Sequence, residues 1–360
     1  MRVAPLTLGG LVCSMALGAV AFVSPGCASA QEAARWSEAI VEQDDAVFAS
    51  AQMRAVADNV VLHQSAAGGW PKNTNLADPP AGPASPNVAN TIDNNGTTLP
   101  MEFLARVISA GSAQYRPSFE RGLDYLLAAQ YANGGWPQFY PLRGGYYDHV
   151  TFNDNAMIHV MTLLRDISGG EAPYGFVDAD RRRRAGEAVE RGLALILRTQ
   201  IRQGDALTAW CAQYDGSLHP AWARAYEPPS LSGAESVGIV RFLMAIDHPS
   251  PEVIAAVEGA ATWLSVSAIE GARVETFTDA EGQRDRRVVD DANAPPIWAR
   301  FYELETNRPL FLGRDSAFHY TFAEIERERR AGYNYYGDWA RTVLDRFPAW
   351  RARVGATQGR

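Results

Sequence analysis

The repetition of one short unit constrains the fold of this chain more than any other feature. In each copy an amphipathic helix ends at a glutamine, and a loop bearing a tryptophan follows. The glutamines are Gln64, Gln130 and Gln200, and the tryptophans are Trp70, Trp136 and Trp210. Helix pairs that repeat in this way need neighbours on both sides to cover their apolar faces, which predicts a solenoid or a toroid of helical hairpins. The tryptophans belong either to its core or to a groove in which flat rings stack on an extended polymer.

Between the repeats, apolar residues at helical spacing predict further helices at residues 98–110, 155–167, 234–245, 251–266 and 317–331. Strand signals are few. Residues 273–278 and 287–289 alternate well enough to form a β-hairpin, with Asp279-Ala280-Glu281-Gly282 as its turn. A proline-rich loop at 78–86 does not divide the chain, because helices of the same character are predicted on both sides of it. We therefore expect residues 31–360 to form a single, mainly helical domain.

The first thirty residues have the pattern of a signal peptide. Arg2 precedes an apolar run from Leu6 to Val23, and Ala28-Ser29-Ala30 is the small-x-small pattern that signal peptidase cuts. We expect cleavage after Ala30 and export to the periplasm or the extracellular space. A membrane anchor and a lipid anchor on Cys27 are the alternatives, and no other apolar run is long enough to span a bilayer.

The net charge excludes one class of partner, and the cysteine content excludes an internal disulfide. With 33 Lys+Arg against 41 Asp+Glu the net charge is −8, and loss of Arg2 with the signal peptide makes it −9. Such a chain is too acidic to bind nucleic acid by counterion release. After cleavage Cys211 is the only cysteine, so no internal disulfide can form. Between Trp210 and Ala212, it is expected to be a small buried residue.

A single lysine lies in the first tryptophan loop. Of the 33 basic residues 32 are arginine, and Lys72 belongs to the turn-rich segment Gly68-Gly69-Trp70-Pro71-Lys72-Asn73. It is either a surface lysine retained by chance or a compact point charge that binds a substrate oxygen or carboxylate.

Polar clusters in four loops carry the residues suited to chemistry. The loops at 91–98 and 151–156 concentrate Asp, Asn and Thr side chains, whose oxygens are accepted ligands of Ca²⁺ and also cap helices. The loops at 220–230 and 312–316 place Arg224 and Arg314 beside aromatic residues or glycine. An arginine in such a loop either binds a carboxylate bidentately or pairs with an adjacent acid for structural reasons.

Six segments occur in a specific order along the chain. They are GGWPKN (68–73), TIDNNGTT (91–98), NGGWPQFYP (133–141), FNDNA (152–156), WARAYE (222–227), and RFY (300–302) with GRD (313–315). Together they resemble the pectate lyases of polysaccharide lyase family 10, and the resemblance runs from about Val56 to Arg341. It implies an all-α, partial (α/α) toroid of helical hairpins with an open substrate groove and a minor β-hairpin.

The resemblance also implies a reaction and a cofactor. The reaction is cleavage of α-1,4-linked polygalacturonate, or de-esterified pectin, by calcium-dependent β-elimination to 4,5-unsaturated oligogalacturonates. This polysaccharide is the expected partner, with no nucleic acid and no membrane span, and the enzyme is expected to be a monomer.

The matching motifs imply roles for individual residues. Arg314 is implied to be the base that removes the C5 proton of the sugar in the +1 subsite, and Arg224 to hold the carboxylate of that sugar. Asp93 is implied to be essential at the cleavage site, with Asn94 and Asp154 helping it to coordinate Ca²⁺. The residues implied to line the groove are Lys72, Trp136, Tyr140 and Arg143.

The chemistry of elimination is consistent with these residue types. A uronate carboxylate bound to Ca²⁺ and an arginine spreads the charge that develops when the C5 proton leaves. Nearby cations and partial desolvation would favour the neutral form of Arg314, so we expect activity to rise toward alkaline pH. Two alternatives remain: an inverting glycoside hydrolase with Asp93 and Asp154 as its carboxylate pair, and a non-catalytic pectin-binding protein.

Overall fold

The computed structural model describes residues 36–358 of the chain. The signal peptide predicted at residues 1–30, its cleavage position after Ala30 and the possible lipid anchor on Cys27 lie outside the described residues. No helix within 36–358 is long and apolar enough to cross a membrane.

Ten α-helices lie in the described part of the chain. They are α1 (Ala51–Leu62), α2 (Thr98–Ser109), α3 (Arg116–Ala129), α4 (Ala156–Gly169), α5 (Ala179–Thr199), α6 (Glu235–Met244), α7 (Pro251–Val266), α8 (Arg327–Gly332), α9 (Arg341–Leu344) and α10 (Phe347–Gln358). Short 3-10 turns occur at Glu38–Ile40, Asp45–Ala49, Asp93–Asn95, Ala113–Tyr115, Gly145–Asp148, Asn153–Asn155 and Phe322–Glu324. The predicted helices at 98–110, 155–167, 234–245 and 251–266 are confirmed to within two residues.

Helices α1 to α7 pack as two rows. The inner row consists of α2, α4 and α6, each of which contacts the next and buries most of its residues. The outer row consists of α1, α3, α5 and α7. Three outer helices begin at conventional side-chain caps, in which Ser50, Asp178 and Ser250 accept a hydrogen bond from a first-turn N–H. The inner helices α2 and α4 instead begin just after polar turns and have no such cap, whereas Ser232 Oγ accepts the N–H of Glu235, the first residue of α6, at 3.0 Å.

The repeated glutamines join successive outer helices. Each carboxamide donates one hydrogen bond within its own loop and a second to a backbone carbonyl of the next outer helix. From Gln64, Gln130 and Gln200 in turn, the loop acceptors are Gly68 (2.8 Å), Gly134 (3.0 Å) and Thr208 (2.8 Å), and the helix acceptors are Ser118, Ala188 and Ala256 (2.9 Å each). A side-chain amide has two N–H groups, which explains why the repeat uses glutamine at this point.

The repeated tryptophans belong to the core. Trp70, Trp136 and Trp210 are 0% exposed. Each indole N–H donates to a carbonyl of the preceding outer helix, at 2.7 to 2.8 Å. The placement of Trp136 in the substrate groove is therefore wrong, because its ring has no surface to offer a ligand. Cys211 is buried, as predicted.

The described strands are short. They are β1 (Val150–Thr151), β2 (Arg202–Gln203), β3 (Ala206–Leu207), β4 (Gln213–Tyr214), β5 (Leu231–Ser232), β6 (Ala272–Thr278), β7 (Arg284–Asp290), β8 (Trp298–Ala299), β9 (Phe301–Tyr302), β10 (Pro309–Leu312), β11 (Phe318–His319) and β12 (Tyr336–Gly337). The predicted hairpin is confirmed as the antiparallel pair β6–β7, in which Asp279 Oδ1 accepts the N–H of Gln283 at 2.7 Å.

The helix predicted at 317–331 is wrong over most of its length, because Phe318 and His319 form β11, an edge strand of a four-stranded sheet in the order β11-β10-β9-β5. Ser316, with φ of 62°, closes the turn between β10 and β11, and Leu312 pairs with Phe318. Only α8 remains helical in that range. An apolar cluster that includes Tyr226, Phe301 and Phe311 packs with this sheet. The all-α prediction describes the two helical rows, but it missed the sheet that carries the loop of Arg314.

Candidate functional site

Two repeated polar turns lie side by side where the inner helices α2 and α4 begin. The 3-10 turns Asp93–Asn95 and Asn153–Asn155 contact each other. In each, the central residue has a left-handed backbone, with φ of 48° at Asn94 and 50° at Asp154. Asn and Asp tolerate this conformation better than other side chains, which explains their presence here. The family resemblance implied that Asp93, Asn94 and Asp154 coordinate one Ca²⁺, which requires the two turns to lie close together, as they do here.

Asp93 is nearly buried and carries one open acceptor. Its side chain is 5% exposed and forms an ion pair through Oδ2 with Lys72 Nζ. Gln138 Nε2 donates to the same oxygen at 2.8 Å. Oδ1 is buried and has no hydrogen-bond partner among the described residues. A buried carboxylate oxygen without a partner is costly, so this atom is available to a cation or a donor that arrives.

Aromatic rings and a second cation lie beside Lys72. Lys72 Nζ is 5.4 Å from the centre of the Phe139 ring. The Arg143 guanidinium lies 4.2 Å from that ring and 4.8 Å from the Tyr147 ring. Lys72 and Arg143, both predicted to line the groove, thus share one aromatic neighbour. Tyr140, also predicted there, is half-buried with its ring against Tyr125.

Arg300 links the second polar turn to α6. Its Nη2 donates to Asp154 Oδ1 at 3.0 Å and forms an ion pair with Glu235. Burial lowers the pKa of Arg300, but the attraction of Glu235, Tyr333 and Asp154 outweighs it and the pKa is raised. The sequence assigned no role to Arg300, although it lies in the RFY segment. The RFY motif was the one sequence feature that marked Arg300. Its role could not be read from the sequence, because Asp154 and Glu235 lie far from it along the chain.

Arg224 is held by a buried acid. Its Nε donates to Glu227 Oε2 at 2.8 Å, and Nη2 pairs with Oε1 of the same residue. Tyr333 donates its hydroxyl to Glu227 Oε1 at 2.8 Å. Burial alone would raise the pKa of Glu227, but Arg224 and Tyr333 lower it overall. For Arg224 the signs are reversed. Burial alone would lower the pKa of Arg224, but the hydrogen bonds from Arg224 to Glu227 raise this pKa overall.

Arg314 lies in the exposed turn between β10 and β11. Its side chain is 63% exposed, and its Nε and Nη2 donate to Glu328 at 3.1 and 3.0 Å. The hydrogen bond to Glu328 raises the pKa of Arg314. The expected desolvation of Arg314 is therefore wrong for this conformation, because most of its side chain faces solvent even though Tyr226 lies nearby.

One aromatic ring brings the two predicted arginines together. The guanidinium carbons of Arg224, Arg314 and Arg329 lie 5.0, 5.9 and 4.4 Å from the centre of the Tyr226 ring. A ring face attracts cations, so Tyr226 offsets part of the repulsion among these three guanidiniums. Arg224 and Arg314 are 90 residues apart in sequence, and only the fold places them on a common side chain.

The two polar turns offer ligands for a cation but not a complete set. Within residues 36–358 no group of three or more His, Cys, Asp or Glu side chains is arranged to hold a metal. Asp93 Oδ1 is unpartnered, Asn94 is exposed and the Asp154 side chain is 40% exposed. Carboxylate and amide oxygens suit Ca²⁺, which accepts further oxygens from water or a ligand. These residues therefore fit Ca²⁺ if other oxygens complete its coordination.

Comparisons with known proteins agree on one family. The family model described as pectic acid lyase matches residues 64–344. A solved family 10 polysaccharide lyase from Cellvibrio cellulosa is 35% identical, with a TM-score of 0.75 over 86% of this chain and 94% of that one. An aspartate-to-alanine mutant of the family 10 lyase from the same organism, in complex with trigalacturonic acid, is 33% identical, with a TM-score of 0.75 over 88% of this chain and 99% of that one. Comparison with curated proteins gave no match.

Proposed function

This chain belongs to the pectic acid lyase family and is a pectate lyase, and from that premise we propose that it cleaves α-1,4-linked polygalacturonate by calcium-assisted β-elimination. The products are oligogalacturonates with a 4,5-unsaturated end. The observation that carries this proposal is the convergence of Arg224 and Arg314 on the Tyr226 ring. Two neighbouring guanidinium groups, each of which can bind a carboxylate through two hydrogen bonds, suit a substrate with a carboxylate on every sugar. The trigalacturonic acid bound to the related lyase supports the choice of substrate.

Arg314 is proposed as the base and Arg224 as the residue that binds the carboxylate of the +1 sugar. In the elimination, the C5–H bond breaks and its proton passes to the base. The electron pair forms the C4–C5 double bond, and the bond from C4 to the glycosidic oxygen breaks. That oxygen leaves with a proton from solvent, so no nucleophile or attacking water takes part.

Arg314 must separate from Glu328 and lose a proton before it can act. The pair is exposed, and exposed ion pairs are weak, so a substrate carboxylate can displace Glu328. Arg329 lies beside Arg314 and lowers its pKa, which is the direction a base requires. The neutral form becomes common only in alkaline solution, so we retain the expectation of activity that rises with pH.

Asp93, Asn94 and Asp154 are proposed to hold Ca²⁺ together with the substrate. The bound ion would neutralise the uronate carboxylate and so make the C5 proton more acidic. Lys72 and Arg300 occupy one oxygen each of Asp93 and Asp154, which fixes the direction of both carboxylates. The open Asp93 Oδ1 is the atom we assign to the ion.

The fold and location proposed from the sequence fit this function. We propose that the two helical rows form a partial toroid, with the N-terminal ends of α2, α4 and α6 at an open groove. We also propose that the enzyme is exported after cleavage behind Ala30 and acts as a monomer. A secreted enzyme would meet pectin outside the cytoplasm, where the polymer is found.

The two carboxylates are poorly suited to the hydrolase alternative. An inverting hydrolase needs one carboxylic acid that stays protonated near neutral pH. Asp93 is paired with Lys72, and Asp154 with Arg300. Each carboxylate therefore already serves as the ion-pair partner of a basic side chain, which leaves neither free for the acid role.

Ultraviolet absorbance during digestion of de-esterified polygalacturonate tests the proposed reaction, because only elimination creates a conjugated product. We expect absorbance to rise with calcium and to stop when excess chelator is added. Reducing ends without absorbance would show a hydrolase instead. Binding with neither signal would show a polysaccharide-binding protein.

A further inference from the structure

One tryptophan differs from all the others in its environment. All nine tryptophans lie in residues 36–358, and Trp222, at 38%, is the one classed as exposed. By contrast, Trp70, Trp136, Trp210 and Trp298 are buried and donate their indole N–H to backbone carbonyls. Trp222 therefore does not serve the packing that explains these four, and an exposed indole is a common platform for a ligand.

Trp222 contacts a second exposed ring. Phe318 is 48% exposed, and the two ring centres are 5.9 Å apart in an edge-to-face arrangement. Two adjoining rings are therefore partly open to solvent. Contiguous exposed apolar surface of this kind marks a contact site more often than single exposed side chains do.

The aromatic pair joins the two arginine loops. Trp222 precedes Arg224 by two residues, and Phe318 follows Arg314 by four. Phe318 is held opposite Leu312 by the pairing of β11 with β10. The rings therefore lie on the segments that carry both arginines proposed to handle the substrate.

The loop of Trp222 is fixed on both sides of the ring. The N–H of Ala221 donates to the Gln213 carbonyl at 3.0 Å, and the N–H of Ala223 donates to the Glu227 carbonyl at 3.1 Å. The backbone on both sides of the indole is thus hydrogen-bonded to the rest of the fold. A preformed platform loses little conformational freedom on binding.

We propose that Trp222 and Phe318 form an outer subsite, which stacks against one uronate ring of the polygalacturonate chain next to the sugars held by Arg224 and Arg314. This inference rests on the proposed function. In a galacturonate ring the C–H bonds at C3, C4 and C5 point to one face, which gives an apolar patch of the size of an aromatic ring. The carboxylate lies at the edge of the sugar, where it stays solvated or meets a cation.

Chain length is the variable that tests this subsite. Initial rates of unsaturated-product formation are measured on trigalacturonate and hexagalacturonate for the wild type, Trp222→Ala and Phe318→Ala. Loss of one stacked contact is expected to raise KM for the hexamer about three- to tenfold. The trimer has fewer sugars to place beyond those held by the two arginines, so its KM should change less than twofold, and kcat should be retained at both lengths.

Two further variants make the result specific. Val288→Ala removes another apolar side chain that is 38% exposed, on strand β7 of the hairpin, and should leave both KM values unchanged. Trp222→Phe keeps a ring and should restore most of the affinity for the hexamer. Thermal unfolding of each variant checks that the fold is intact.

Two outcomes would overturn the proposal. An unchanged KM for the hexamer in Trp222→Ala would show that no sugar stacks there. An equal fall of kcat on trimer and hexamer would show that the ring pair only holds the arginine loops together.

Binding measured without turnover separates this inference from the proposed reaction. If the wild type makes no unsaturated product, the proposed reaction fails, and electrophoresis in gels containing polygalacturonate then decides about the subsite. Weaker retardation of Trp222→Ala than of Val288→Ala supports the subsite. Equal retardation overturns it.

Discussion

Asn94 and Asp154 occupy the same position in two repeated turns and share one backbone conformation, with φ and ψ of 48° and 41° at Asn94 and of 50° and 32° at Asp154. The turns read Thr-Ile-Asp-Asn-Asn and Thr-Phe-Asn-Asp-Asn, so the carboxylate shifts by one residue between the copies. One turn therefore presents a buried acid and the other an exposed acid. This difference places two carboxylates of unlike exposure at adjoining helix starts.

Replacing Asp154 by asparagine tests the proposed calcium ligands. Asp154→Asn removes a charged oxygen while Arg300 keeps its ion pair with Glu235, so the fold should persist. We expect the calcium concentration for half-maximal activity to rise at least about tenfold. Activity titrated with calcium measures this. Asp166→Asn, at an exposed acid on α4, the helix that follows this turn, is the control, and an equal effect of both variants would contradict the assignment.

Arg314 and Arg224 are predicted to affect different kinetic constants. Arg314→Ala should lower kcat about 10²- to 10⁴-fold with little change in KM, because it removes the proton acceptor. Arg224→Ala should mainly raise KM, because it removes a ligand of the substrate carboxylate. Arg273→Ala on the exposed hairpin is the control. If the larger loss of kcat follows Arg224 instead, the roles of the two arginines are exchanged.

The pH profile should respond to Glu328. This acid raises the pKa of Arg314, and its own pKa is lowered to about 2 by Arg329 and Arg314. A base acts in its neutral form, so removing Glu328 lowers the pKa of Arg314 and increases the neutral fraction at a given alkaline pH. In Glu328→Gln we therefore expect the alkaline rise of kcat/KM to begin at lower pH. A rise that begins at higher pH, or at the same pH as in Glu275→Gln on the hairpin, would count against Arg314 as base.

The glutamine of the second repeat is predicted to be a stabilising residue. Gln130→Ala removes the donor to Gly134 and Ala188 and the acceptor of Arg191. We expect the free energy of unfolding to fall by about 1–3 kcal/mol, because backbone carbonyls lose their partners. Chemical denaturation measures the change. Gln283→Ala, at an exposed turn, should change it by much less, and equal losses would argue against the role of Gln130 between α3 and α5.

Local patterns were sufficient for the helical part of the fold. The start and end of α7 lie where Ser250, Pro251 and the apolar spacing predict them. The β6–β7 hairpin also follows from alternation and its turn. These elements form from interactions within a few residues of each other, so their signals are present in short stretches of sequence.

Distant pairing decided what local patterns could not. The strands β9 to β11 have two to four residues each, too few for an alternating pattern, and they form because they pair with one another. The burial of Trp136 also depends on contacts with distant segments. From sequence alone, an apolar ring in a glycine-rich loop suits either a core or a groove. Its environment depends on α3 and α5, which pack around it.

The sequence by itself therefore determined the helices of the two rows, the repeat, the turns rich in Asp and Asn, and the family. Only the tertiary structure decided which acid pairs with which cation: Arg300 meets Asp154 from 146 residues away, and Arg314 meets Glu328 rather than a buried pocket. The physical reason is that residue type and spacing fix local backbone preferences. Ion pairs, burial and pKa shifts depend on distances between segments that only the folded chain brings together.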